Sequence, residues 1–128
     1  MSTHVDQYHR IRTTADVLAD HVRCRRAGDL EGDLRYNYHR HVLLLSAEGV
    51  HHGHEGVRRL AAILRSYLAD AGYEFHKTMT DGDLGMLVWS ARCAGDDDYM
   101  HEGVDSYVIR DGMIAAQTTH YSPAHGDD

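Results

Sequence analysis

The sequence predicts an α+β domain with three helices in its first half and an antiparallel sheet in its second half. Apolar residues recur at helical three-and-four spacing up to about residue 68, whereas extended segments separated by Asp- and Gly-rich turns begin at Tyr73. Helices followed by strands on one short chain are typical of folds whose helices gather on one face of a sheet. We therefore expect one domain spanning residues 1–128, with loose ends at about 1–10 and 124–128.

Capping residues delimit the first two predicted helices. Thr13 or Thr14 can cap the first helix, which carries an apolar stripe and ends at Gly28. Asp29 can then cap a shorter second helix, which we expect to break near His39. The apolar positions of the two helices are Val17, Leu18, Val22, Ala27, Leu30, Leu34 and Tyr38.

A strand and a third helix follow. The run HVLLLS at 41–46 predicts a strand that is buried on both faces. The Gly-rich connection EGVHHGHEG then leads into the clearest helix of the chain, which we expect to end at Gly72. Its apolar stripe consists of Val57, Leu60, Ala61, Leu64 and Leu68.

Four extended segments make up the remainder of the chain. They are YEFHKTMT, GMLVWSARCA, YMHEGVDSYVIR and MIAAQTTHY, and the turn sequences DGD, GDDD and DG separate them. Short turns of this composition join neighbouring antiparallel strands. We therefore expect a four-stranded antiparallel meander.

Composition and charge exclude several classes of partner. The formal net charge of −7 repels phosphate backbones and anionic lipid headgroups, so neither nucleic acid nor a membrane is an expected partner. The two cysteines lie outside any CxxC spacing and suit a reducing compartment. Because no stretch has the pattern of a secretory signal or the length of a membrane span, we expect a cytoplasmic protein.

Three phrases and the order of the elements resemble a known superfamily. The phrases AGDLEGDL, EGVHHGHEGVRRL and GVDSYVIRDGMIAAQTTHYSP are similar to the SnoaL-like branch of the nuclear transport factor two-like superfamily, over about Thr13 to Pro123. The resemblance implies a cone-shaped roll, in which a curved antiparallel sheet wraps the helices around one pocket for a small apolar or aromatic molecule. It also implies a homodimer formed through the outer face of the sheet, and chemistry without a cofactor.

The last hairpin has a turn that sets its register. An Asp-Gly pair fits a two-residue turn, so Arg110 is expected to pair with Met113. Counting back from this pair places Asp105 opposite Thr118. His120 then becomes a diagonal neighbour of Asp105 on the same face of the sheet.

This face carries the predicted catalytic pair. The resemblance implies that Asp105, in a glycine, any residue, aspartate phrase, takes the place of the acid/base carboxylate of SnoaL-like polyketide cyclases. The diagonal pairing makes His120 the residue expected to orient it. A carboxyl group in an apolar pocket can exchange protons near neutrality because desolvation raises its pKa. Tyr107 and Ile114 lie further along this face as ligand-binding candidates, and Gly103 leaves room beside His120. The alternative is that Asp105 is a hydrogen-bonded structural residue.

Two further ligand-binding candidates depend on the register of the middle strands. If Thr80 pairs with Leu84 or Gly85, His76 comes close to Trp89 and both border the pocket. A slip of one residue would move either side chain to the opposite face. The alternatives are a hydrogen-bonded sheet histidine for His76 and a core residue for Trp89.

Comparison with two enzymes of the superfamily refines the expected mechanism. The base of ketosteroid isomerase lies on the strand after the second helix, where this chain has Leu44 and Leu45, so that mechanism is disfavoured. Scytalone dehydratase, with tyrosines and an aspartate beside two histidines, is closer in residue type. The candidates for this pattern, which include the ligand-binding candidate Tyr38, are Asp33, Tyr36, Tyr38, His76 and His120.

The histidine-rich connection raises the question of a metal site. His51, His52 and His54 lie close together in sequence, and imidazole is a common zinc and copper ligand. We expect no native metal site, because the intervening glycine makes the loop pliable and the sequence identifies no third fixed ligand.

Three functions remain open from the sequence. The first is a cofactor-independent isomerase, cyclase or dehydratase that moves protons on a small apolar carbonyl compound. The second is a non-catalytic ligand-binding or dimeric module of the same fold. The third is an acid sensor, considered because the chain contains 12 histidines.

Overall fold

The computed structural model describes residues 12–66, 73–93 and 96–123. Within these ranges, three helices and one curved, unclosed six-stranded sheet form the predicted α+β arrangement. The elements are, in chain order, α1 (Thr14–Ala27), α2 (Leu30–Asn37), β1 (Tyr38–Ser46), β2 (Gly49–His52), α3 (Gly53–Arg65), β3 (Glu74–Asp81), β4 (Leu84–Cys93), β5 (Asp96–Arg110) and β6 (Met113–Pro123).

The sheet is mixed rather than wholly antiparallel. Its strand order is β2-β1-β6-β5-β4-β3, and the predicted meander of β3 to β6 is antiparallel throughout. The first strand, β1, lies parallel to β6, a pairing that no local turn could reveal. The Gly-rich connection also contains a strand, β2, which pairs with β1 as an edge hairpin.

Capping chemistry determines where α1 begins and ends, as predicted. The Thr13 side chain accepts from the Asp16 backbone N–H, and the Asp16 carboxylate accepts from the Thr13 N–H, which is a capping box. Gly28 ends the helix in the left-handed conformation, with φ of 69°. The helix packs closely on the sheet at Gly85, where an added Cβ would lie 2.4 Å from Leu18 Cδ1.

Three predicted details differ from the structure or lie outside its description. Helix α2 ends at Asn37, so Tyr38 begins β1 instead of ending the helix. Strand β1 is buried on one face only, because Leu44 is 1% exposed but Leu45 is 43% exposed. The predicted end of the third helix at Gly72 lies outside the described residues, in which α3 extends to Arg65.

The core lies between the helices and the inner face of the sheet. Its buried residues come from α1, α2, α3 and four strands, and include Val17, Leu34, Leu44, Leu60, Leu87, Trp89, Tyr107 and Ile114. In the described part of the chain, no helix combines the length and apolar character needed to cross a bilayer.

Candidate functional site

One extra residue in β6 changes the register predicted for the last hairpin. Arg110 pairs with Met113, as the Asp-Gly turn predicts, but the pairing shifts before Val108 and leaves Ala115 as an unpaired bulge. From that point onward every partner on β6 moves by one residue. Asp105 therefore lies opposite Thr119 rather than Thr118.

The shift separates the predicted catalytic pair. Asp105 points to the inner face and is 1% exposed. His120 pairs with Val104 and is exposed on the outer face. The prediction that Asp105 and His120 meet in the pocket is therefore wrong, because the bulge sends alternate side chains of β6 to the other side.

The Asp105 carboxylate is instead bonded to three protein donors. Its Oδ1 accepts from Trp89 Nε1 at 3.1 Å, and its Oδ2 accepts from the Tyr107 hydroxyl at 3.1 Å. Arg25 Nη1 lies 3.4 Å from the same Oδ2. These contacts provide hydrogen-bond partners for a carboxyl group that is almost completely withdrawn from water.

Gly103 makes the Trp89 contact possible. Trp89 and Gly103 are cross-strand partners, and a Cβ on Gly103 would lie 2.1 Å from the indole ring. The sequence predicted an open space at Gly103, beside His120. In the structure the indole of Trp89 fills that space on the inner face, and its Nε1 reaches Asp105, two residues further along β5.

The imidazole that meets this cluster is His21 of α1. His21 Nε2 lies 2.9 Å from the Tyr107 hydroxyl, and Nδ1 lies 2.8 Å from Asp33 Oδ2. Both His21 and Asp33 are buried. We call Arg25, Asp105, Tyr107, His21 and Asp33 the buried polar chain, because each is hydrogen-bonded to the next.

The Asp33 end of the buried polar chain is anchored by helix α2 and the N-terminal segment. Asp33 Oδ1 accepts from Asn37 Nδ2 at 2.9 Å, one helical turn away. The Asn37 side-chain oxygen accepts in turn from Arg12 Nη1 at 3.0 Å. Asn37, itself held by Arg12, therefore fixes the orientation of the Asp33 carboxylate.

A cavity of about 140 Å³ lies beside the buried polar chain. Its apolar walls include Leu44 of β1 and Val57 and Leu60 of α3. Its polar walls include His21, Arg25, Asp33, Tyr38 and Gln117. The cavity thus combines an apolar body with a few convergent polar groups, as small-molecule sites do.

Two side chains in the cavity wall are held in their protonated forms. Burial, followed by the neighbouring Asp33 and Asp20 carboxylates, raises the pKa of the Cys24 thiol to about 11, so it is not a thiolate nucleophile near neutrality. Burial also raises the pKa of the Tyr38 hydroxyl well above its usual value, and this hydroxyl donates to Gln117 Oε1.

The other predicted ligand-binding residues do not line this cavity. Trp89, Tyr107 and Ile114 are buried in the core, although Tyr107 contacts His21. His76 is exposed at a bulge in β3, hydrogen-bonded to Ser90 Oγ at 2.8 Å, and Phe75 occupies the predicted place beside Trp89. Thr80 does pair with Gly85, one of the two predicted alternatives.

Sequence reasoning missed His21 and Arg25. A signal for His21 was present, because it continues the buried stripe of Val17 and Cys24 at helical spacing. A polar side chain inside an apolar stripe must find a buried partner. Arg25 carried no such signal, because it belongs to a basic run that is typical of a solvated helix face.

The histidine-rich segment spreads over two elements. His51 is buried in β2, His52 is exposed, and His54 lies in α3 with Nε2 2.9 Å from the Tyr38 carbonyl oxygen. Across residues 12–66, 73–93 and 96–123, no three His, Cys, Asp or Glu residues are grouped so that they could hold a metal ion.

Comparisons with known proteins agree with this architecture. The family model described as a SnoaL-like domain matches residues 9–117. An NTF-2 like protein of unknown function from Burkholderia xenovorans superposes with a TM-score of 0.73 at 17% identity, covering 89% of this chain and 86% of that one. A candidate SnoaL-like polyketide cyclase from Mesorhizobium loti superposes with a TM-score of 0.64 at 19% identity, covering 86% of this chain and 100% of that one. No curated protein matches the sequence significantly.

Proposed function

Because the chain belongs to the SnoaL-like domain family, we propose that its cavity binds a small, largely apolar carbonyl compound and moves protons on it without a cofactor. The reaction would be an isomerisation, cyclisation or dehydration. A similar structure from Sinorhizobium meliloti, named as a candidate polyketide cyclase, gives this proposal its chemical context.

The observation that carries the proposal is the Asp33–His21 pair in the cavity wall. Both residues line the cavity, and Asp33 Oδ2 lies 2.8 Å from His21 Nδ1. This is the carboxylate–imidazole chemistry expected of the site, supplied by α1 and α2 rather than by the last hairpin.

Counting hydrogen-bonding sites assigns the roles within this pair. Both ring nitrogens of His21 have partners, Asp33 and Tyr107, so the ring has none left for a ligand. An ionised carboxylate accepts about four hydrogen bonds, and the Asp33 oxygens have two protein partners: Asn37 Nδ2 donates to Oδ1, and His21 Nδ1 lies beside Oδ2. Asp33 is therefore the proposed acid/base group, and His21 is the positioning residue.

The proposed reaction begins with removal of a proton from the carbon next to the substrate carbonyl. The Asp33 carboxylate accepts this proton, and returns it to another atom of the same substrate. His21 orients Asp33 through the 2.8 Å contact between Nδ1 and Oδ2, and the Tyr107 hydroxyl fixes the orientation of the ring. Asp105 supports Tyr107 from behind and has no place in the cavity wall.

Exchange of α-protons for deuterium tests this proposal. Cyclopentanone and cyclohexanone are incubated with the protein in D₂O, and the loss of their α-proton signals is followed by NMR. General acid–base catalysis typically contributes about 10²- to 10⁴-fold, so we expect Asp33→Asn to reduce exchange at least about 100-fold. His21→Asn should also reduce it, whereas the matched outer-face variant His120→Asn should not.

The outcomes separate the roles. Unchanged exchange in a folded Asp33→Asn protein would exclude Asp33 as the acid/base group. Loss of exchange in a folded His120→Asn protein would instead assign a catalytic role to the outer face.

A non-catalytic binding module is the second candidate. It is favoured by the completeness of the buried polar chain, because His21 and Asp105 are already satisfied by protein partners. Binding of cyclic ketones without any α-proton exchange would support this function over catalysis.

The outer face of the sheet supports a homodimer. Within the described residues, apolar side chains there are exposed on five of the six strands, and they include Leu45, Val50, Met79, Met86 and Val104. An exposed apolar face of this kind favours association. Met86→Lys should then produce a monomer in analytical ultracentrifugation, and a parent protein that is itself monomeric would contradict the dimer.

A reducing, cytoplasmic location is consistent with the free, buried Cys24 thiol.

A further inference from the structure

Arg25 places a guanidinium group in the wall of the cavity. Its side chain is 19% exposed and is surrounded by aromatic ring faces. The guanidinium carbon lies 4.8 Å from the Tyr73 ring centroid, 5.5 Å from Phe75 and 5.9 Å from Trp89. These rings hold the cation in place by stacking and cation–π attraction.

The charge of this group is maintained despite burial. Burial opposes the charged form of Arg25, but the Asp105 carboxylate and nearby tyrosines outweigh it, and the pKa lies above its ordinary value. Arg25 is therefore a permanent cation in a cavity wall that also contains the apolar side chains of Leu44, Val57 and Leu60.

Asp105 uses only a small part of the hydrogen-bonding capacity of Arg25. A guanidinium has five N–H donors in a planar fork. One of its nitrogens, Nη1, contacts Asp105 at 3.4 Å, which is longer than the 2.7–2.9 Å that is typical of charge-assisted bonds. Asp105 is itself divided among Trp89, Tyr107 and Arg25. The geometry leaves Arg25 able to bind a second acceptor from the cavity.

The cavity volume accommodates a small acceptor. At about 140 Å³, it is close to an engineered cavity of about 150 Å³ that holds benzene. Leu44, Val57 and Leu60 provide an apolar surface for one ring. A single-ring compound thus fits the space, with one polar substituent directed at the guanidinium.

We propose that Arg25 determines specificity, and that the cavity selects single-ring organic anions whose carboxylate binds the guanidinium while the ring packs on the apolar wall. This inference rests on the proposed small-molecule function of the cavity and narrows it to one chemical class. The carboxylate matches the planar fork of Arg25 in shape as well as in charge.

Benzoate and benzamide are the probes that test the inference, because they have nearly the same shape and differ in charge. Dissociation constants are measured by ligand-observed NMR titration. We expect the parent protein to bind benzoate at least about 10-fold more tightly than benzamide, because hydrogen bonds to charged groups are the stronger ones. Arg25→Gln should abolish this preference, and Arg25→Lys, which retains the charge but loses the fork, should reduce it.

The matched control is Arg26→Gln. Arg26 is the next residue of α1, also lies near Phe75, at 5.4 Å from its ring centroid, and does not line the cavity. Arg26→Gln removes the same charge and should leave the preference unchanged. Circular dichroism confirms folding, and Arg25→Lys keeps the test valid if Arg25→Gln does not fold.

Different results would overturn the inference and the proposed function. Equal affinity for the two probes in the parent protein, or a preference that survives in both folded Arg25 variants, would overturn the role of Arg25 while leaving the cavity as a binding site. If Arg65→Gln alone abolishes the preference, the specificity belongs to Arg65, an exposed residue of the cavity wall, and not to Arg25. If neither probe nor any cyclic ketone binds, the small-molecule function fails as well.

Discussion

The two faces of the β5–β6 hairpin differ in how much water reaches their polar side chains. On the inner face, Asp105 is 1% exposed and bonded to donors from α1, β4 and β5. On the outer face, His120 and Val104 are exposed. The same two strands carry both sets, and a single bulged residue decides which side chains of β6 join the interior.

This difference shows where substitutions should matter. An inner-face polar group has lost water and relies on fixed protein partners, so removing one partner leaves another unsatisfied. An outer-face polar group keeps water as an alternative partner. We therefore expect large, coupled effects inside the sheet and small, independent effects outside it.

Asp105→Asn should produce the largest effect. It removes the charge that faces the Arg25 guanidinium, and leaving one member of a buried ion pair uncompensated typically costs about 3 kcal/mol or more. We expect a decrease of that size in the free energy of unfolding, measured by urea denaturation monitored by circular dichroism.

The outer-face control for Asp105→Asn is His120→Asn, which should change the free energy of unfolding by no more than about 0.5 kcal/mol. Equal effects of the two substitutions would contradict the assignment of Asp105 and His120 to opposite faces.

Gly103→Ala should have the next largest effect. The added Cβ would lie 2.1 Å from the Trp89 indole, which must then move away from Asp105. Overpacking of this kind costs about 1–3 kcal/mol, and the fluorescence of Trp89, the single tryptophan, should report the displacement. Ser106→Ala, on the outer face of the same strand, should leave the fluorescence unchanged. A stable Gly103→Ala protein with parent-like fluorescence would show that Trp89 does not require this glycine.

Most of the fold could be predicted because local chemistry determines its elements. Thr13 and Asp16 cap α1, Gly28 ends it, and the Asp-Gly turn pairs Arg110 with Met113. The parallel pairing of β1 with β6 could not be predicted in the same way, because it joins residues more than 70 positions apart. The strand β2 was missed because its four residues lie among glycines and histidines.

The candidate site was less accessible from the sequence. The prediction that Asp105 faces the interior is confirmed, but the prediction that His120 joins it there is wrong, because a bulge between small residues such as Ala115 and Ala116 leaves no clear sequence pattern. His21 meets Tyr107 across 86 positions of sequence, so their contact depends on how α1 packs on the sheet. Local patterns predict elements, whereas this site is built where elements cross.

The smallest expected effect concerns the response of the inner face to alkali. Burial, and then the neighbouring Asp105 carboxylate, raises the pKa of the Tyr107 hydroxyl well above its usual value. The folded chain therefore keeps a proton that the unfolded chain releases above its ordinary pKa of about 10. The corresponding stability is fully present below about pH 10 and is lost as the pH rises from there toward the raised pKa of the folded state.

Urea denaturation at pH 9 and pH 11 measures this loss. One such tyrosine should account for about 1 kcal/mol of the decrease between the two pH values, so Tyr107→Phe should make the decrease smaller by that amount. The substitution also removes hydrogen bonds at every pH, and for this reason the difference between the two pH values, rather than either value alone, is the quantity that tests the inner face. Tyr36→Phe, at a side chain that is 48% exposed, should leave that difference unaltered. If both substitutions change the pH dependence equally, the inner face is not the source of the alkaline loss, because its hydroxyl would then titrate as freely as one in water.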